Sequence, residues 1–133
     1  MTVLKQIYRC SICGNVVEVL HTGVGQLVCC GQPMNLFKEK EQEEGLEKHL
    51  PVIKELSADV DNNGKSFEIK VGEVEHPMEE GHYIEWIEVN TVDGKSNKKF
   101  LKPNEKPIAN FCTEEKITSV RVYCNIHGLW EKK

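Results

Sequence analysis

The sequence has no long hydrophobic run. No apolar stretch approaches the roughly 18 residues that a spanning helix needs, and Met1-Thr2-Val3-Leu4-Lys5 lacks the unbroken apolar segment of a signal peptide. The expectation is a soluble, cytoplasmic protein with no membrane partner. Basic charge is also short. Lys and Arg number 17 against 21 Asp and Glu, a formal net charge of −4, and no basic stripe interrupts the acidic balance. Nucleic acid is therefore excluded as a partner, because phosphate binding needs clustered cations. Aromatics are 7% and mean hydropathy is −0.44. That composition is globular, which sets aside disorder and coiled coil for the chain as a whole. No long amphipathic helix and no internal repeat stand out.

What the chain does have is cysteine, six in 133 residues. In a reducing cytosol thiols persist, and clustered cysteines there more often bind metal than pair as disulfides. Four of the six, Cys10, Cys13, Cys29 and Cys30, fall within residues 1–37. That segment holds too few apolar residues for a core of its own, so a metal or a partner surface must complete it. Short strand-like runs, Asn15–Leu20 and Gln26–Cys29, flank a turn around Gly23 and Gly25. Residues 38–46 open with Lys38-Glu39-Lys40-Glu41-Gln42-Glu43-Glu44-Gly45 and read as a solvated, charged linker.

From Glu47 to Lys133 the pattern is β. Phe67-Glu68-Ile69-Lys70-Val71 alternates, Val120, Val122 and Cys124 share one strand face, and Ile108–Thr113 reads as a further strand. Asn63-Gly64 and Asp93-Gly94 are hairpin turns by composition. Several short strands over some 85 residues predict an antiparallel sandwich.

Cys10-Ser11-Ile12-Cys13 is a knuckle, and Cys29-Cys30 follows after fifteen intervening residues. Two thiolate pairs close a tetrahedron around one ion. Zinc and iron both accept four thiolates, so spacing does not choose between them. Adjacent cysteines in a single backbone conformation would distort that tetrahedron. Tyr8-Arg9-Cys10-Ser11-Ile12-Cys13-Gly14-Asn15 and Val28-Cys29-Cys30-Gly31-Gln32-Pro33-Met34 resemble desulforedoxin, a small iron–tetrathiolate module, which favours iron. Four cysteines leave no open position, so this site suits structure or electron transfer and not substrate chemistry.

Four of the five histidines lie in the β region, and Cys124-Asn125-Ile126-His127 has knuckle spacing. His21 stands apart, in a turn, and reads as exposed. Three motifs in order resemble the desulfoferrodoxin family, the two-iron class of superoxide reductase: Glu47-Lys48-His49-Leu50-Pro51-Val52-Ile53, His76-Pro77-Met78-Glu79-Glu80-Gly81-His82-Tyr83-Ile84-Glu85-Trp86-Ile87 and Tyr123-Cys124-Asn125-Ile126-His127-Gly128-Leu129-Trp130. Phe100-Leu101-Lys102-Pro103 also fits. The resemblance implies an immunoglobulin-like sandwich behind a desulforedoxin-like domain, a homodimer, and two irons per chain. One iron would take Cys10, Cys13, Cys29 and Cys30. The other would take His49, His76, His82 and His127 around a plane, with Cys124 axial.

That second ligand set leaves one octahedral position open, and superoxide, a small anion, fits it. Its one-electron reduction gives hydrogen peroxide and no dioxygen, and an external donor, by resemblance rubredoxin, restores the ferrous state. The resemblance gives Lys48 the task of attracting superoxide against the net negative charge and of holding a proton-donating water. It gives Glu47 the sixth position of the oxidised iron. Cys112 matches no ligand position and reads as a buried free thiol. Trp86 and Trp130 read as packing residues beside the site, either of which could shield an imidazole face. Two other readings stay open: a non-catalytic two-iron electron carrier, and a zinc-stabilised binding module.

Overall fold

The computed structural model describes residues 1–40, 49–58 and 65–133. These form two compact units, Met1–Lys38 and Glu39–Lys133. In the first, β1 (Ile7–Arg9) lies between β2 (Val16–Glu18) and β5 (Asn35–Phe37), and β3 (Val28–Cys29) pairs with β4 (Gln32–Pro33), all antiparallel. Thr2 pins the start of the chain to Gly23: its backbone N–H donates to the Gly23 carbonyl, and its Oγ1 accepts from the Gly23 N–H at 2.8 Å. Among the hydrophobic side chains of this unit only Ile7, Cys10 and Val19 are buried. Leu20 and Val24 are 81% and 90% exposed, so packing alone does not hold these strands.

The second unit is a sandwich. One sheet has the order β10-β7-β6, from β6 (Pro51–Ala58), β7 (Lys65–Val71) and β10 (Ile108–Thr113). The other has the order β12-β11-β8-β9, from β8 (Ile84–Thr91), β9 (Ser96–Phe100), β11 (Ile117–Cys124) and β12 (Gly128–Lys132). Every pairing in both is antiparallel. Ile69, Val71 and Ala109 of the first sheet meet Ile87, Val89, Val120, Val122 and Cys124 of the second in one core. Burying each large aliphatic side chain there contributes about 1.5–3 kcal/mol. The β8–β9 hairpin turns at Asp93-Gly94, where Gly94 takes φ 88°, as its composition predicts. The Asn63-Gly64 turn lies outside the described residues.

Two expectations need correction. Cys112 is exposed, not buried, with its Sγ 3.3 Å from Ser66 Oγ. The reason is the two-residue period: Ala109 and Phe111 pack on the core, which turns Cys112 to the outer face of β10. Nor are the first residues after Lys38 merely solvated. Lys40 forms a parallel bridge to Trp130, donating its N–H to Leu129 O and accepting from Glu131 N–H, and Glu39 meets Arg121 at 3.2 Å. Residues 41–46 lie outside the described residues.

The β8–β11 pairing carries an irregularity next to the site. Val122 faces Ile87 and Tyr123 faces Trp86, but Cys124 then faces Ile84, so Glu85 is the extra residue of a β-bulge. The bulge puts an aliphatic side chain, in place of a carboxylate, opposite the buried thiol.

Candidate metal centres

The first cluster is assembled by two turns. Cys10 follows β1, and the Cys13 N–H points at Cys10 Sγ at 3.5 Å while the Gly14 N–H donates to Cys10 O at 2.9 Å. Cys29 ends β3, and Cys30 begins the two-residue loop into β4. Cys30 and Gly31 both have positive φ, 54° and 78°, the signature of a type I′ turn. The adjacent cysteines thus have different backbone conformations, one extended and one left-handed.

Cys13 Sγ lies 3.5 Å from Cys29 Sγ, and Cys29 Sγ 3.9 Å from Cys30 Sγ. Four thiolates at about 2.3 Å around one ion stand about 3.8 Å apart in a tetrahedron. The four sulfurs fit such an ion. Without it, amide N–H groups, that of Cys13 foremost, hold Cys10 down to about 6, while hydrogen bonding to Cys13 pushes Cys30 up to about 12. The thiols therefore share protons that a cation would displace.

The second cluster gathers at one end of the sandwich. His49 immediately precedes Leu50 and β6, His76 and His82 lie between β7 and β8, Cys124 ends β11, and His127 lies in the turn before β12. Each loop is tied down. The Gly72 N–H donates to Leu50 O at 2.9 Å, and a tight turn links Glu79 and His82 through both backbone pairs. His76 Nδ1 lies 2.7 Å from Pro77 O, which fixes its proton there and frees Nε2 as a lone pair. In the Cys124–His127 knuckle the His127 N–H points at Cys124 Sγ at 3.5 Å, the same contact as in Cys10–Cys13.

The four rings form a closed square. Centroids of His49–His76, His76–His82, His82–His127 and His127–His49 are 4.7, 4.8, 4.9 and 4.7 Å apart, each pair edge to face. His49 Nε2 is 3.1 Å from both His76 Nε2 and His127 Nδ1. Nitrogens at about 2.1 Å from one ion stand about 3.0 Å apart on a square and about 3.4 Å apart on a tetrahedron. The spacing matches the square. All five ligand atoms, Cys124 Sγ included, lie within 4.8 Å of one another. His82 Nε2 is buried with no hydrogen-bond partner among the described residues, an orphan that a cation would satisfy. Burial, first, and the three other imidazoles bring His76 down to about 4, which keeps it in its neutral, ligating form. Burial pushes the Cys124 thiol up, so a bound cation would have to hold it as thiolate.

The structure brings the nine cysteine and histidine side chains named as candidate ligands together in two groups, each of which could hold a metal ion. Glu47 and Lys48 lie outside the described residues. His21 is exposed, as read. Trp130 stacks on His49 at 4.5 Å with an 8° interplanar angle, whereas Trp86 stacks on Tyr123. Only the former shields an imidazole. Sequence reasoning missed Asn125, whose Oδ1 accepts from the Tyr83 N–H at 2.9 Å and whose Nδ2 donates to Gly81 O at 3.1 Å. Those contacts bracket His82 and bind its loop to the Cys124 knuckle. Sitting inside the knuckle was its only signal.

A desulfoferrodoxin family model matches residues 40–133, and the model for the desulfoferrodoxin N-terminal domain matches residues 2–37. The chain belongs to the desulfoferrodoxin family. It is 53% identical over 131 residues to a desulfoferrodoxin homolog of Archaeoglobus fulgidus, covering 98% of each. Among solved structures, the superoxide reductase of Treponema pallidum aligns over 96% of this chain and 97% of its own, with TM-score 0.75 and 22% identity, a likeness of fold. A mutant of the A. fulgidus superoxide reductase (neelaredoxin) in the reduced form aligns over 74% of this chain and 95% of its own, at TM-score 0.54 and 27% identity. Two irons per chain go with this family, and the four-cysteine and four-histidine-one-cysteine clusters are the groups that fit them. No helix among the described residues is long and apolar enough to cross a membrane.

Proposed function

We propose that this desulfoferrodoxin is a superoxide reductase. It would reduce superoxide with one electron and two protons to hydrogen peroxide, releasing no dioxygen, with His49, His76, His82, His127 and Cys124 holding the reactive iron. Cys10, Cys13, Cys29 and Cys30 would hold the other. The observation that carries this reading is the square of four imidazoles with a fifth, sulfur ligand, because such a set leaves a coordination position for a small anion.

An iron in that site supplies the single electron and the open position. The protein does the rest. Buried His76 stays neutral, so it meets the ion as a lone-pair ligand and adds no charge of its own. Trp130 covers the face of His49, and His127 stands at the exposed edge, where a diffusing anion arrives. Lys48 attracts superoxide against the net charge of −4 and holds the water that delivers protons. Glu47, a hard oxygen ligand, serves the oxidised state. A rubredoxin-like carrier restores the electron, and a second copy of the chain would cover exposed apolar side chains of the first unit such as Leu20 and Val24.

The test is stoichiometric. The reduced protein should turn each superoxide into one hydrogen peroxide without dioxygen, and Cys124→Ser should abolish this; dioxygen evolved at half the superoxide consumed would mean dismutation instead. Lys48→Ala should slow capture about tenfold at low salt, since a screened charge near the site is worth about 1–1.5 kcal/mol. A capture rate independent of both Lys48 and salt would remove its steering role.

A further inference from the structure

The ammonium of Lys40 touches the scaffold of two ligands. Its Nζ donates to the His127 carbonyl at 3.0 Å, and it lies 5.4 Å from the centre of the Trp130 ring, the same indole that stacks on His49. A lysine in a run of charges is ordinarily a loose, solvated side chain. This one is anchored at its root. Its backbone N–H and carbonyl bond Leu129 and Glu131 on the β12 edge, and the neighbouring Glu39 carboxylate bonds Arg121. The side chain is half-buried, so its charge is screened less than that of an exposed lysine.

We propose that Lys40 is a positioning and potential-setting residue of the five-ligand site. It acts in two ways. Holding the His127 carbonyl fixes the turn that aims His127 Nδ1 at the square. A fixed positive charge beside the ligands also disfavours loss of an electron from the ion they hold, because oxidation adds a second positive charge to the same half-buried region. The reduced form is thereby favoured at rest, which is the form that a superoxide reductase presents to its substrate.

This inference rests on the assignment of iron to the five-ligand site. The test is a redox titration of the intact two-iron protein, with the four-cysteine iron as an internal reference. Lys40→Met keeps the length and apolar stem of the side chain, and the backbone bridge needs no side chain. The ratio of reduced to oxidised iron at the five-ligand site should fall threefold to tenfold at a given potential, a downward shift of about 30–60 mV, while the four-cysteine iron titrates unchanged. Lys40→Arg should restore the parental value. A Lys40→Met protein with the parental midpoint at the five-ligand site would overturn the proposal, as would equal shifts at both irons. Parental protein whose five-ligand site takes no iron would overturn this inference and the proposed function together. Protein that loads that iron but leaves superoxide untouched would overturn only the function.

Discussion

The two units solve the problem of stability in opposite ways. Residues 1–38 bury three hydrophobic side chains and converge four cysteines, whereas the sandwich buries a continuous core from Ile69 to Trp130 and places its ligands at one end of it. Their knuckles are alike, each aiming an amide N–H at the sulfur three residues earlier. What differs is the support. In the first unit the ion would be the core. In the second, the core pre-shapes a site that an ion then occupies.

Removing metal should break that comparison most visibly. A chelator that strips both irons should unfold the first unit, since closed thiolate sites contribute on the order of 10 kcal/mol to folding. Amide protection of Ile7–Arg9 and Asn35–Phe37 should vanish while that of β8 and β11 persists. Equal loss in both units would mean that the sandwich also depends on its ion.

The sandwich has its own polar centre, which offers the converse experiment. Glu88 and Arg121 are almost wholly buried and paired, with Lys98 2.8 Å from the same carboxylate. Glu88→Gln removes the carboxylate shared by Arg121 and Lys98, leaves Arg121 its Glu39 partner, and should cost about 3 kcal/mol in urea denaturation. The first unit's iron spectrum should survive at low urea. The same carboxylate makes the sandwich acid-sensitive. Burial alone would raise its pKa, but Arg121 and Lys98 overcome that and bring Glu88 down to about 2 from 4.5. Its folded pKa lies below the unfolded one, so the stabilisation is present above pH 4.5 and is lost as pH falls toward 2. That loss amounts to about 3 kcal/mol. Glu88→Gln should flatten the dependence; an unchanged pH profile would assign the acid sensitivity elsewhere.

Most of this was legible in the sequence because the signals were periodic or carried by spacing. Ile108–Thr113 is β10 residue for residue, and Val120, Val122 and Cys124 do face the core together. The cysteines and histidines of the motifs gather in two clusters. What escaped was carried by contacts that leave no pattern. Lys40 looks like any charge in a charged run until its carbonyl and indole partners, 87 and 90 residues away, are in place. The type I′ turn at Cys30-Gly31 needed φ values, and the exposure of Cys112 needed the phase of β10, set by Ala109 and Phe111.

Asn125 sharpens the comparison on the smallest scale. Asn125→Ala removes two hydrogen bonds around His82, at about 1–3 kcal/mol. Iron should leave the five-ligand site on the order of tenfold more readily, as when other outer supports of metal ligands are lost, with the four-cysteine site untouched. Equal iron retention at both sites would show that the His82 loop holds itself.

On the proposed function the two units divide the labour: chemistry in the sandwich, fold-completing metal in the first unit. The most direct measurement takes Cys13→Ser protein, reduced and loaded with iron at the five-ligand site, and follows its oxidation after a pulse of superoxide. Second-order oxidation at the parental rate is expected, with one hydrogen peroxide formed per site. A folded variant whose five-ligand iron fails to react with superoxide would contradict it.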